Sequence, residues 1–232
     1  MRIQLAQADA LIERGHEVRF VTPGAPLTWR SSRAEWIYVD ELYADDSAVD
    51  GAALAAQFPI VDDIFYRAVT PREHRPPRVL LSGASQLESN GIDDGYGAVA
   101  HARWFHQKLD LIRVSPWAPS REEPLDAVQE FHVALNSGEM ARLLHSCDVL
   151  IAPHHAEDRV PLAAAEAMAA GIPCLTAPRQ NAVELGEKLI ELLEEPALRE
   201  RLRARGREAA EQWRAARVAG QLESFLLGSS PA

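Results

Sequence analysis

Cysteine is nearly absent from this chain of 232 residues, which contains two, Cys147 and Cys174. Each opens an apolar stretch, so both read as packed, reduced thiols, and a secreted disulfide scaffold is excluded. A bridge between them would require their two strands to be neighbours. Positive charge is also in short supply, with 24 Lys and Arg against 34 Asp and Glu and a formal net charge of −10. That balance argues against nucleic acid as a partner, because phosphate backbones bind basic surfaces. No apolar run approaches the roughly 20 residues of a membrane span. The first residues lack the charged-then-apolar order of a secretory leader, so the expected compartment is the cytoplasm, with peripheral contact to a membrane left open.

Several catalytic signatures are missing as well. There is no His-Glu-x-x-His and no Cys/His cluster, and the adjacent His154 and His155 point to different sides, so no metal site is expected. No Gly-x-Ser-x-Gly elbow, P-loop or intact Gly-x-Gly-x-x-Gly follows a strand, which removes the hydrolase, NTPase and dinucleotide readings.

What remains is an ordinary folded composition, 47% hydrophobic and 25% charged, enough for one large core or two small ones. Ile3 to Glu13 has helical spacing, Gly15 stops it, and His16 to Gly24 reads as a strand, with Trp36 to Val39 a further short one. The stretch from Glu41 to Gln57 is acidic and alanine-rich. Residues 71–77, Pro-Arg-Glu-His-Arg-Pro-Pro, read as a linker between a first region of about 1–70 and a second of 78–227. The second opens as a new alternating series: a strand over Arg78 to Ser82, a loop over Gly83 to Gly91, a helix over Ile92 to Trp104 and a strand over Leu109 to Ser115. Amphipathic helices follow from Asn181, with a restart at Pro196 and an apolar stripe between Arg and Glu residues from Leu198 to Leu227.

The most informative stretch runs from Cys147 to Thr176. Cys147-Asp148-Val149-Leu150-Ile151-Ala152-Pro153 reads as a buried parallel strand, and Pro161 to Ala170 as a helix stopped by a left-handed Gly171. Cys174 to Thr176 is the next strand, completing a βαβ unit whose loop and helix N-terminus lie at the carboxyl edge of the sheet, where open α/β sheets bind ligands. Within that helix every residue but Glu166 is small or apolar. An ionised carboxylate there needs hydrogen-bond donors. The vicinal hydroxyls of a ribose would supply two; an outward orientation or a nearby Arg would serve equally on spacing alone.

Asp158 and Glu166 bracket the loop and helix, followed by Glu166-Ala167-Met168-Ala169-Ala170-Gly171-Ile172-Pro173 and preceded by Gly138-Glu139-Met140-Ala141-Arg142-Leu143-Leu144-His145-Ser146-Cys147-Asp148-Val149. In this order these parts resemble the nucleotide-sugar-binding half of the retaining GT-B glycosyltransferases of the large GT4 family. Arg14-Gly15-His16-Glu17-Val18 resembles the same family's junction between the first helix and second strand of its amino-terminal domain. The resemblance implies an α/β, GT-B-like fold, with a Rossmann-type parallel sheet binding the donor and a shortened amino-terminal α/β domain on the acceptor side, since here the chain starts at the helix. It implies a glycosyltransferase that moves a sugar from a nucleoside diphosphate sugar to a glycan or lipid-linked acceptor, with no cofactor and no bound metal. Asp158 and Glu166 would carry the catalytic site. Gly83, Asn90 and Gly91, Ser115, Val133, Arg159 and Glu166 would line the nucleotide, Val133 through its backbone; His132 reads as structural.

Two departures bear on activity. In the family the loop after the first strand of this domain carries an arginine and a lysine that neutralise the leaving diphosphate; here Ala84 or Ser85 and Asn90 stand in their places. Arg159 would partly replace those cations or pair with Asp158 or Glu157. After Thr176 the family's glycine-rich loop and acid give way to Ala177-Pro178-Arg179-Gln180 and a helix. These gaps favour a second reading, a shortened, non-catalytic relative that keeps the sheet as a nucleotide-binding or protein-interaction module. A sugar-nucleotide epimerase of the same shape ranks last, because the acids and histidine it needs have no clear positions.

Overall fold

The computed structural model describes residues 2–23, 35–39, 59–67, 76–105, 108–154, 160–176 and 181–227. The chain divides into two compact units, Met1–Asp63 with Gln212–Ala232, and Ile64–Glu211. The first holds helix α1 (Arg2–Glu13) and strands β1 (Arg19–Pro23) and β2 (Glu35–Val39), paired in parallel with Arg19 opposite Glu35. Its final helix, α7 (Ala215–Leu226), packs on α1 around Ala10, Ile60, Val218 and Ala219. Arg14 and His16 both bind Glu223 of α7, His16 Nε2 lying 2.7 Å from Oε1.

This corrects the expected boundary. The apolar stripe from Leu198 to Leu227 is not one cover for the second region. It breaks at a short 3-10 turn, Glu211–Trp213, and α7 returns to the first unit. The N–H of Val61 donates to the Trp213 carbonyl at 2.9 Å, fixing that return. The expected linker 71–77 and the stretch 41–57 fall largely or wholly outside the described residues.

The second unit contains strands β3 (Arg78–Ser82), β4 (Asp110–Ser115), β5 (Glu130–Val133), β6 (Val149–Ile151) and β7 (Cys174–Leu175). They form one parallel sheet in the order β5-β4-β3-β6-β7. The chain steps outward from β3 through β4 to β5, then crosses back to place β6 on the other side of β3. That reversal opens a crevice at the carboxyl ends of β3 and β6, the usual ligand position in doubly wound sheets.

Helices α2 (Ile92–Phe105) and α5 (Ala182–Glu194) cover one face. Their apolar sides meet Val79, Leu81, Leu111, Val149 and Ile151, all fully buried. Removing each such side chain from water stabilises the fold by about 1.5–3 kcal/mol. The alternating residues Leu80, Ile112 and Leu150 turn to the opposite face, where α4 (Leu162–Ala170) packs on β6 and on α3 (Ser137–His145). A reciprocal capping box starts α3: the Glu139 N–H donates to Asn136 Oδ1 and the Asn136 N–H to Glu139 Oε2, both at 2.9 Å. Helix α6 (Pro196–Ala210) packs on α4, and its Arg207 donates to the Ala170 carbonyl at 3.2 Å. Gly171 takes the expected left-handed conformation at φ 72°, and a β-carbon there would collide with the Arg207 guanidinium.

The two cysteines lie near neighbouring strands, as a bridge would require. Leu150 of β6 is the partner of Cys174, however, and Cys147 precedes β6 by two residues, so the two are offset along the sheet and both are free thiols.

Candidate functional site

The crevice is built from what leaves β3, β4 and β6. After β3 the chain turns at Gly83 with a φ of 143°, and a β-carbon there would stand 2.7 Å from Ile92 Cδ1, so no side chain fits. The Gly83 N–H donates to the Val114 carbonyl of β4 at 3.2 Å. The loop then closes on itself. Asn90 donates its side-chain amide to the Ala84 carbonyl at 3.2 Å, and the Gly91 N–H donates to the Glu88 carbonyl before α2 begins. Asn90, which stands where the resembled family has a lysine, thus braces the loop.

Further bonds tie this loop to the connection between β4 and β5. Gln86 donates to the Ala118 carbonyl at 2.7 Å, and Ser85 Oγ donates to Glu123 Oε2 at 2.7 Å. The other oxygen of Glu123 accepts from Tyr96 Oη at 2.9 Å and Arg113 Nε at 2.7 Å. Arg113 is fully buried in β4. Its Nη1 donates to the carbonyls of Leu81 and Val114, and its guanidinium lies 5.6 Å from the Phe131 ring centre. Its Nη2 has no hydrogen-bond partner among the described residues. Burial alone would raise the Glu123 pKa, but the Ser85 hydroxyl, the Arg113 charge and the Tyr96 hydroxyl outweigh it and hold the carboxyl below its ordinary value. The same burial and the facing carboxylate push the Tyr96 phenol well above its ordinary range.

Ser115, at the end of β4, is buried and accepts from the Trp117 N–H through Oγ at 3.2 Å, the turn-forming role of such residues. Its carbonyl accepts from the Ala134 N–H at 2.9 Å, joining the ends of β4 and β5 beside an exposed Val133. His132 is half-buried on β5, 3.3 Å from Glu130 Oε2.

On the other side of the crevice, β6 runs into Ala152-Pro153-His154, and α4 starts after Pro161. Pro161 caps α4 from just outside instead of occupying its first turn. Glu166 lies about one turn into α4 and is 1% exposed. The outward orientation left open by the sequence is therefore removed. Asp158 and Arg159 lie outside the described residues. The structure thus brings Gly83, Asn90, Gly91 and Ser115 together around the ends of β3 and β4, places Val133 at the end of β5, and sets Glu166 in the helix after β6.

Sequence reasoning missed Arg113, Glu123 and Tyr96. The signal for Arg113 was present, a lone cation in the apolar run Leu109-Asp110-Leu111-Ile112-Arg113-Val114. Nothing in the local sequence marks Glu123 as its partner. No group of three or more His, Cys, Asp or Glu side chains among the described residues is placed to hold a metal ion. No described helix is long and apolar enough to cross a membrane.

A parallel sheet with this strand order and a crevice at its reversal is a Rossmann-type, doubly wound domain. The chain belongs to the group 1 glycosyl transferases, whose family model matches residues 77–203, over half of its length. No curated protein sequence matches it. Among solved structures it is similar to WaaG, a glycosyltransferase involved in lipopolysaccharide biosynthesis, with a TM-score of 0.57 and 20% identity over 73% of this chain and 55% of that one. It is similar to Anabaena HepE bound to UDP-glucose, with a TM-score of 0.52 and 12% identity over 64% of this chain and 48% of that one. The corresponding values for S. aureus TarM, crystallised with UDP and alpha-GlcNAc-glycerol, are 0.57, 10%, 73% and 38%. At these identities the likeness is one of fold. The chain spans about half the length of WaaG and HepE.

Proposed function

We propose that this chain binds a nucleoside diphosphate sugar at the crevice between β3 and β6, and that it is the donor-binding part of a glycosyltransferase acting on a glycan or lipid-linked acceptor without a bound metal. The observation that carries this reading is Glu166, a carboxylate buried in an otherwise apolar helix whose N-terminus opens at the carboxyl edge of the sheet. In this reading Glu166 accepts hydrogen bonds from the ribose hydroxyls and Asp158 stands near the sugar. The UDP-glucose complex of HepE, which has the same fold, supports a nucleotide sugar as the ligand class.

Transfer needs the departing diphosphate stabilised, and one well-placed donor contributes about 3 kcal/mol to such a step. Residues 83–91 contain no Lys or Arg, so in this reading Arg159 would only partly replace the missing cations. The absence of loop cations also favours a second reading, a nucleotide-binding relative without transfer activity. Calorimetric titration with UDP, GDP, ADP and dTDP, followed by a donor-hydrolysis assay with the sugar nucleotide of whichever binds, tests both. Saturable binding of one nucleotide is expected. Hydrolysis selects the enzyme, binding without hydrolysis selects the module, and no binding by folded protein overturns both.

A further inference from the structure

The loop that leaves β3 has no cation of its own, yet a cation lies beneath it. Arg113 Nη1 and the Gly83 N–H converge on one acceptor, the Val114 carbonyl, so the guanidinium sits directly under the turn that opens the crevice. Its charge is cancelled in place, because the Glu123 carboxylate accepts from Arg113 Nε at 2.7 Å with both side chains removed from solvent. Glu123 also holds the loop from below through Ser85. The Arg113 Nη2 group, buried and without a partner among the described residues, is a donor that this arrangement leaves unused. An anion arriving above the loop therefore meets a neutral pair where a positive charge would attract it.

We propose that Glu123 is a specificity-determining residue of this site: by neutralising Arg113 it sets how strongly the crevice prefers a phosphorylated nucleoside over the bare nucleoside. The proposal rests on the nucleotide-binding reading above. It makes Arg113 a latent phosphate-binding charge, and it makes the ribose and base the main source of affinity in the unaltered protein. Glu123→Gln keeps the shape of the side chain and an oxygen facing Tyr96 and Arg113, while Ser85 Oγ can turn to accept from the new amide. The positive charge of Arg113 is then uncompensated. A unit charge several ångströms from a diphosphate, at the effective dielectric of such sites, changes affinity about tenfold or more.

The test is calorimetric titration of the full chain and of E123Q with UDP, GDP, ADP and dTDP and with the matching nucleosides, folding being checked by circular dichroism. In the unaltered protein the diphosphate should bind within about tenfold of its nucleoside, and in E123Q that ratio should rise by about tenfold, with the rise shrinking in high salt. A ratio that is unchanged in E123Q, or one already above a hundredfold in the parent, overturns the proposal while leaving nucleotide binding intact. Binding of neither nucleotide nor nucleoside by the folded parent overturns the nucleotide-binding reading, and the proposal with it. If E123Q does not fold, Arg113→Met/Glu123→Leu decides. Removing both charges should leave the parent's ratio unchanged, and a ratio that falls would show Arg113 already acting unmasked.

Discussion

Gly95 presses its backbone against Leu81: a β-carbon on Gly95 would overlap Leu81 Cδ1 and stand 3.3 Å from Pro153 Cγ. The first turn of α2 is thereby seated where β3 and β6 end, at the mouth of the crevice. Gly95→Ala has to displace either Leu81 from a filled core or α2 from the sheet. Overpacking of this kind costs about 1–3 kcal/mol. We expect a lower urea midpoint for G95A together with weaker nucleotide binding. Unchanged stability would mean that α2 is not held against the sheet as described.

Glu166→Ala should weaken nucleotide binding by about 1–3 kcal/mol through lost charge-assisted hydrogen bonds. If Glu166 serves the ribose, the corresponding 2′-deoxynucleotide should already have lost part of that affinity in the unaltered protein and should lose less on mutation. Titration of both nucleotides with both proteins checks this. Equal affinity of E166A and parent for the ribonucleotide removes Glu166 from the site.

The fold of residues 78–176 was legible because its signals are local. Alternation of apolar strands with helices, Gly171 after an apolar helix, and the lone carboxylate Glu166 each follow from sequence neighbours. The return of α7 to the first unit was not legible, since nothing in the sequence of an amphipathic helix names the core it joins, and only long-range contacts such as Val61 with Trp213 decide it. At the sheet edge, the loop after β3 and the end of β4 lie where the sequence put them, and the brace beneath them was not read. Arg113 and Glu123 stand ten positions apart, with the end of β4 and an irregular connection between them, so no period links them. Ser85 and Asn90, at positions where the resembled family carries its cations, are occupied with Glu123 and the Ala84 carbonyl.

Burial pushes both thiols up, Cys174 to about 11 and Cys147 also to about 11, where hydrogen bonding from Ser146 and the charge of Arg78 oppose the rise without cancelling it. The thiolate is the reactive form. Labelling with a disulfide reagent at pH 8 should therefore be slow in folded protein and fast in denaturant. Because the folded-state pKa values are raised, the protonated thiols favour the fold fully below about 8.5, and that contribution fades as pH rises towards 11. Rapid labelling of both thiols in the native state would contradict this burial.

Glu123 gives the opposite dependence. Its carboxyl is held below the ordinary value, so its contribution to stability is complete above the normal carboxylate range near about 4.3 and is lost as pH falls through the lowered folded value. In E123Q that part of the acid limb should vanish. Urea midpoints measured from pH 7 down to pH 3 should fall less steeply for E123Q than for the parent, and parallel curves would show that Glu123 does not carry the effect.

The stability of the pair separates its two halves. Arg113→Met leaves the Glu123 carboxylate buried without its cation, a loss of about 3–5 kcal/mol. Arg113→Met/Glu123→Leu removes both charges, and the groups that lose a partner are neutral: the Tyr96 and Ser85 hydroxyls and the carbonyls of Leu81 and Val114, the last of which keeps the Gly83 N–H. Water can reach the half-buried Ser85, whereas Tyr96 is buried and would lose about 1–3 kcal/mol if its hydroxyl found no new partner. The double variant should consequently be more stable than R113M alone, although it carries one more substitution. A cycle of urea denaturations over the parent, the two single variants and the double measures that coupling directly, and single losses that simply add would mean that Arg113 and Glu123 do not act as a pair.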